Sequence, residues 1–203
     1  MQRAIEGLGG GDLRGWSCWD LGAHYGVYAV GLALRVGPGG QVAAFEPNPK
    51  TFARLERHRR MNRLPWLKTY KAAASDRPGT AQLLTYGVAD STSAHLPYDG
   101  EVLVKRSKPV PVRALRLDAL VESGELRSPD FVKVDVEGHG HLALEGMRAA
   151  LAASHPQLLI AFHSAAEVRG ALAILEPLGY TWRAVGPANA SAVAPGGDYA
   201  FAV

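Results

Sequence analysis

Asp20-Leu21-Gly22-Ala23-His24-Tyr25-Gly26 is the stretch on which the reading of the fold turns. The apolar run before it, residues 16–21, reads as a buried strand with Asp20 at its end. The run after it, residues 27–36, is almost continuously apolar and reads as a helix packed in the interior. A strand that passes through a glycine turn into a helix opens a Rossmann-like α/β sheet, in which ligands bind outside the carboxyl ends of the strands. Gly22 lets backbone approach a ligand closely, and Gly26 tolerates a geometry or contact that a side chain would block. The helix beyond offers unsatisfied N–H groups to the same place.

The rest of the chain continues the alternation. Gly37-Pro38-Gly39-Gly40 stops the first helix, as Gly and Pro do after a helix end. Residues 41–45 read as a second strand ending at Glu46. Asn48-Pro49 opens a helix to about Asn62, with Asn as N-cap and Pro in the first turn. Residues 66–71 read as a third strand. Residues 77–120 read as a hairpin-like excursion, with strands at 80–86 and 110–117 and a polar loop between them at 91–108. Strands at 131–136 and 157–163 alternate with helices at 139–153 and 165–175. Two strands at 180–185 and 199–203, separated by a Gly/Pro/Ala/Ser loop, close the chain as an antiparallel edge. Alternating strands and helices imply a mainly parallel sheet with right-handed crossovers.

Length and composition fit one soluble domain spanning residues 1–203, with 1–15 as a short N-terminal segment. The chain is 47% hydrophobic and 20% charged, enough apolar material for a full core. No run approaches the roughly 20 apolar residues that cross a bilayer, and residues 1–15 lack a signal-type apolar stretch, so a cytoplasmic location without membrane contact is expected. Cys18 is the one cysteine and reads as a buried, unreactive thiol. The net charge is +3, and the basic residues gather at Lys50, Arg54, Arg57, Arg59, Arg60, Arg63, Lys68 and Lys71. They alternate with Phe52, Leu55, Met61 and Leu64. That spacing makes them the wet face of an amphipathic helix, so a nucleic-acid partner is not expected.

The glycine spacing differs from the dinucleotide pattern G-x-G-x-x-G, whose second glycine brings backbone up to a pyrophosphate. An anionic Asp20 facing the pocket would repel a pyrophosphate. It suits a ligand carrying an ammonium or a sulfonium, and S-adenosylmethionine carries both. Glu46, in Phe45-Glu46-Pro47-Asn48, stands where an acid can accept hydrogen bonds from both ribose hydroxyls. In Phe131-Val132-Lys133-Val134-Asp135-Val136-Glu137-Gly138, Asp135 ends the fourth core strand at the carboxyl edge of the sheet, and Glu137 follows in the loop.

Taken in this order, these features resemble the FkbM family of class I methyltransferases. The matching residues are Asp20-Leu21-Gly22-Ala23 with Gly26 and Tyr28, then Ala44-Phe45-Glu46-Pro47-Asn48-Pro49. Ala73-Ala74-Ser75-Asp76, Leu117-Asp118 and Lys133-Val134-Asp135-Val136-Glu137-Gly138 with Gly146 continue the match. The resemblance implies a seven-stranded, mostly parallel sheet of order 3-2-1-4-5-7-6 with helices on both faces. It implies S-adenosylmethionine as methyl donor, held by Asp20, Gly22, Ala23, His24, Gly26, Tyr28, Glu46, Pro47, Asn48, Ala73 and Asp135. It also implies O-methylation of a hydroxyl on a small molecule, a sugar or secondary metabolite. The chain departs from the family pattern at Gly140 and Ala161, where acids are usual.

Methyl transfer from a sulfonium is an in-line displacement that alignment accelerates. A hydroxyl acceptor must also lose its proton, and a general base contributes roughly 10²–10⁴-fold. Asp135, Glu137 and His163 are the expected catalytic residues. His139 is a further candidate base. His139 and His141 with Asp135 and Glu137 could suggest a metal, but histidines two apart on a helix point to different faces, so no metal centre is expected. A homo-oligomer is compatible with the sequence. Two other function classes stay open: a non-catalytic scaffold that binds S-adenosylmethionine or a nucleotide, and a dinucleotide-dependent oxidoreductase.

Overall fold

The computed structural model describes residues 12–86, 107–185 and 192–203. Most of the expected polar loop at 91–108, most of the N-terminal segment and half of the Gly/Pro/Ala/Ser loop fall outside them.

The main sheet has seven strands. They are β1 (Ser17–Leu21), β2 (Gln41–Phe45), β3 (Leu67–Tyr70), β7 (Phe131–Val134), β8 (Gln157–Ala161), β9 (Thr181–Ala184) and β10 (Asp198–Ala202). Their spatial order is β3-β2-β1-β7-β8-β10-β9, which is 3-2-1-4-5-7-6 when only this sheet is counted. The first five are parallel, and β10 runs antiparallel to both β8 and β9. A smaller sheet holds β4 (Ala73–Ala74), β5 (Gly79–Tyr86) and β6 (Ser107–Leu115) in the order β4-β6-β5. Here β5 and β6 form the expected hairpin. Pro109 and Pro111 lie where β6 has only β5 beside it, so their missing N–H groups break no ladder on the open side.

Alternate residues of the central strands serve two cores. Trp19, Leu21, Phe45, Val132 and Val134 face one layer of helices. This layer comprises α4 (Gly140–Glu145), α5 (Arg148–Ser154) and α6 (Ala165–Leu175). Cys18, Val42, Ala44 and Phe131 face the other, α1 (Val27–Val36) and α2 (Pro49–Met61). Each fully buried Leu or Phe contributes about 1.5–3 kcal/mol, so burial on both faces dictates the apolar runs of these strands.

Three expectations are corrected. The first helix is not wholly interior: Val27 and Leu34 are exposed, because only its Ala29, Leu32, Ala33 and Val36 stripe meets the sheet. The second strand of the hairpin stops at Leu115, and Leu117–Glu122 is a short helix, α3. The helix expected at 139–153 is two, α4 and α5, broken at Gly146-Met147. The break has a tertiary cause. A Cβ at Gly146 would stand 1.9 Å from the Ser75 carbonyl oxygen. Asp118, from α3, accepts hydrogen bonds from the N–H groups of Ala149 and Ala150, each at 3.0 Å. It therefore caps α5 from a remote position in the chain.

Candidate active site

The glycine turn sits against the carboxyl edge of β1, β2 and β7. Gly22 takes φ +77°, and a Cβ on it would lie 1.9 Å from the Asp135 carbonyl oxygen. Its smallness therefore serves the packing of two loops first, before any room it leaves for a ligand. Gly26, the N-cap of α1, takes φ +87°, and a Cβ there would meet Leu55 Cδ1 at 2.5 Å. The N–H groups of Gly22 and Ala23 both donate to the Phe45 carbonyl, at 3.0 and 2.9 Å. These bonds tie the turn to the end of β2.

Glu46 extends the same tie. Its Oε2 accepts from the His24 N–H at 2.8 Å, and its Oε1 accepts from the Asn48 N–H at 2.8 Å and from Thr51 Oγ1 at 3.1 Å. Burial pushes its carboxyl above the usual range, against the lowering effect of those bonds. A carboxylate offers about four acceptor positions, and three are taken. The expectation of two ribose bonds on Glu46 narrows to about one, on the Oε2 side.

Asp20 is fully buried and does not line the cleft. Its Oδ1 pairs with Lys133 Nζ at 3.0 Å, and Oδ2 is a buried oxygen without a hydrogen-bond partner. Nζ also donates to the Gly22 carbonyl at 3.1 Å, lies 3.6 Å from Asp135 Oδ2, and stands 5.2 Å from the centre of the Tyr28 ring. Burial disfavours the Lys133 charge, yet Asp20 and Asp135 outweigh it and hold the ammonium above its ordinary pKa. The cation expected to meet Asp20 is thus partly supplied by the chain itself. Lys133 belongs to the motif that carries the family resemblance but is not among the expected site residues; its signal is a lone charge inside an apolar strand.

These groups border a cleft of about 330 Å³, in the size range of small-molecule sites. Gly22, Ala23, His24, Tyr28, Glu46, Pro47, Asn48, Ala73, Asp135 and Glu137 line it, whereas Asp20, Gly26 and His163 do not. Phe45, Ala72, Ala74, Leu83 and Val136 supply apolar wall that the motifs left unassigned. His139 also lines the cleft, with Nε2 3.2 Å from Ser75 Oγ; burial lowers its pKa to about 4, so it is neutral at physiological pH.

Beside the cleft, the ends of β7 and β8 bring Asp135, Glu137 and His163 together. His163 Nε2 stands 3.5 Å from Asp135 Oδ1 and 3.7 Å from Glu137 Oε2. Glu137 holds φ +52°, a left-handed backbone uncommon for a side chain of its size. Behind His163 is Glu167, which sequence reading missed. It is fully buried and accepts from the N–H groups of His163 at 2.7 Å and Gly140 at 2.8 Å. Its Oε2 lies 3.7 Å from His163 Nδ1, an ion-pair separation longer than a hydrogen bond. Glu167, with Glu137 and Asp135, holds the imidazole above its ordinary pKa despite burial. The overlooked signal was Ser164-Ala165-Ala166-Glu167, a capping-box spacing in which Ser164 Oγ accepts from the Glu167 N–H at 3.1 Å.

The comparisons with known proteins agree in direction. A family model described as the methyltransferase FkbM domain matches residues 20–181. The hexuronic acid methyltransferase AglP of Haloferax volcanii is 35% identical over 140 residues, which is 66% of this chain and 50% of that protein. The chain therefore spans about half the length of that relative. Among solved structures, methyltransferase FkbM from Methylobacillus flagellatus superposes with a TM-score of 0.60 at 19% identity, over 92% of this chain and 43% of that one. Aeropyrum pernix fibrillarin, in complex with natively bound S-adenosyl-L-methionine, gives 0.54 at 13% identity, over 98% and 72%. At these identities the two structures establish the shared fold. Among the described residues no helix is long and apolar enough to cross a membrane.

Proposed function

The chain belongs to the FkbM methyltransferase family, and from that premise we propose that it transfers a methyl group from S-adenosylmethionine to a hydroxyl of a sugar. The observation that carries the reading is the cleft itself. A glycine turn, a buried acid at the end of β2 and apolar wall from Phe45, Ala72 and Leu83 converge on one edge of the sheet.

The residues fit the donor. Glu46 has an acceptor position left for a ribose hydroxyl, and the apolar wall suits an adenine. The part-exposed Asp135 carboxylate, which lines the cleft beside Gly22, suits an amino group, and the buried Asp20 acts behind it through Lys133. When bound, S-adenosylmethionine supplies an electrophilic methyl group on a sulfonium. Asp135, Glu137 and His163 stand beside the cleft, where they orient the acceptor hydroxyl. The Asp135 or Glu137 carboxylate accepts its proton as the oxygen bonds to the methyl carbon and the sulfonium is released as the neutral thioether. Lys133 keeps Asp135 in place. The sugar class rests on the relative AglP, whose name assigns it a hexuronic acid.

Incubation with methyl-labelled S-adenosylmethionine and a panel of free and nucleotide-linked sugars tests the reading. Label in an alkali-stable ether supports it. Label in an alkali-labile ester moves the acceptor to a carboxylate, and label in no sugar sinks the sugar assignment.

A further inference from the structure

We propose that Asp135, Glu137 and His163 form a binding site for a divalent cation of the Mn²⁺ type, with Glu167 as the buried carboxylate that holds the histidine in place. The site deepens the reading of the acceptor side given above and rests on it for its purpose, but its existence does not depend on that reading.

The three side chains each place one donor atom within 4.8 Å of the others. Donors bound cis on one metal at about 2.1–2.2 Å lie about 3 Å apart. The separations of 3.5 and 3.7 Å from His163 Nε2 to the two carboxylates are therefore within a small side-chain rotation of that geometry. The donors come from the carboxyl ends of two adjacent parallel strands, β7 and β8, which are held in register by the ladder Phe131 to Val134 against Gln157 to Ile160. The set is mixed, two hard oxygens and one imidazole nitrogen, which suits Mn²⁺ and its neighbours more than Ca²⁺ or Cu⁺.

The second observation lies behind the imidazole. Histidine ligands of metals keep their other ring nitrogen on a carboxylate, carbonyl or water, and that partner sets the ring orientation. Glu167 is fully buried, faces the Nδ1 side, and is pinned by two backbone N–H groups so that it cannot swing away. A Cβ at residue 140 would stand 2.4 Å from Glu167 Oε1, so Gly140 leaves the space this carboxylate fills. The Nε2 side, by contrast, faces Asp135 and Glu137, which are about one-third exposed at the cleft. Charge points the same way. Three carboxylates, Asp135, Glu137 and Glu167, lie within 3.7 Å of the His163 ring nitrogens. A divalent cation held by Asp135, Glu137 and His163 Nε2 would share that negative charge and leave open positions for acceptor oxygens.

The test is direct binding of Mn²⁺ to the whole, untagged chain after removal of metals by chelation, read as loss of the electron paramagnetic resonance signal of free Mn²⁺. One Mn²⁺ per chain is expected. His163→Ala and Glu137→Gln should each weaken it about tenfold or more, and Glu167→Gln by about 10–100-fold. Circular dichroism and urea unfolding check that each variant stays folded. Zinc and magnesium competition under the same conditions ranks the cation. No binding up to about 1 mM, or equal binding by wild type and all three variants, overturns the site; an imidazolium held between the carboxylates would give that result. S-adenosylhomocysteine affinity is measured on the same samples. Its loss with Mn²⁺ binding intact overturns the proposed function alone, and the reverse overturns the cation alone.

Discussion

Lys133→Met tests whether the buried pair with Asp20 is the electrostatic keystone of the cleft. Both side chains are at most 1% exposed, and their charges stand 3.0 Å apart. At that distance, with an effective dielectric of about 20, the attraction is roughly 5–6 kcal/mol, set against a desolvation penalty of several kcal/mol for each ion. Intact, the pair contributes little net. Breaking it is another matter, because methionine leaves the Asp20 carboxylate buried with neither oxygen paired to a cation. A cost of about 3–5 kcal/mol is expected. Asp20→Asn leaves the ammonium with Asp135 at 3.6 Å and the Gly22 carbonyl, and should cost less, about 1–3 kcal/mol. The double variant Lys133→Met/Asp20→Asn removes both charges and should cost no more than either single change, a coupling of about 3 kcal/mol. Urea unfolding at pH 7, compared at constant m-value, measures all three. If Lys133→Met costs under about 1 kcal/mol, or if the single costs simply add in the double variant, the reasoning is wrong.

Gly146→Ala should cost about 2–4 kcal/mol, because its Cβ would lie 1.9 Å from the Ser75 carbonyl oxygen; thermal unfolding reads this, and an unchanged midpoint contradicts it. Glu56 offers a pH test. Its pKa is lowered from 4.5 to about 2, chiefly by Arg59, with Thr69 and Arg60 adding to the effect against burial. A depressed folded-state pKa gives stability that is full above the unfolded value and is lost as pH falls through the folded one. Glu56→Gln should therefore flatten the acid limb of the stability curve between pH 4.5 and 2, and a limb of unchanged slope refutes the pairing.

The central sheet was legible because its signals are local. Strands β1, β2, β7 and β8 are apolar runs buried on both faces, and Asp20, Glu46 and Asp135 mark the edge where three of them end. Motif spacing placed about half of the cleft lining for the same reason: the glycine turn and the strand ends lie side by side in any sheet of this order. What escaped was set by contacts distant in sequence. The break at Gly146 depends on Ser75, and the start of α5 depends on Asp118. Glu167 acquires its role only when α6 brings its first turn against Gly140 and His163. Asp20 was expected to face the ligand, but nothing local told that Lys133, on the neighbouring strand, would reach it first.

The most direct test of the central claim is titration calorimetry of the purified chain with S-adenosylhomocysteine, repeated with Glu46→Ala. The account predicts one site per chain with a Kd below about 100 µM, weakened about tenfold or more in the variant, the loss of at least roughly 1.4 kcal/mol that one charge-assisted hydrogen bond and a loosened glycine turn would bring. Absence of binding to the wild type, or equal affinity in the variant, would contradict it.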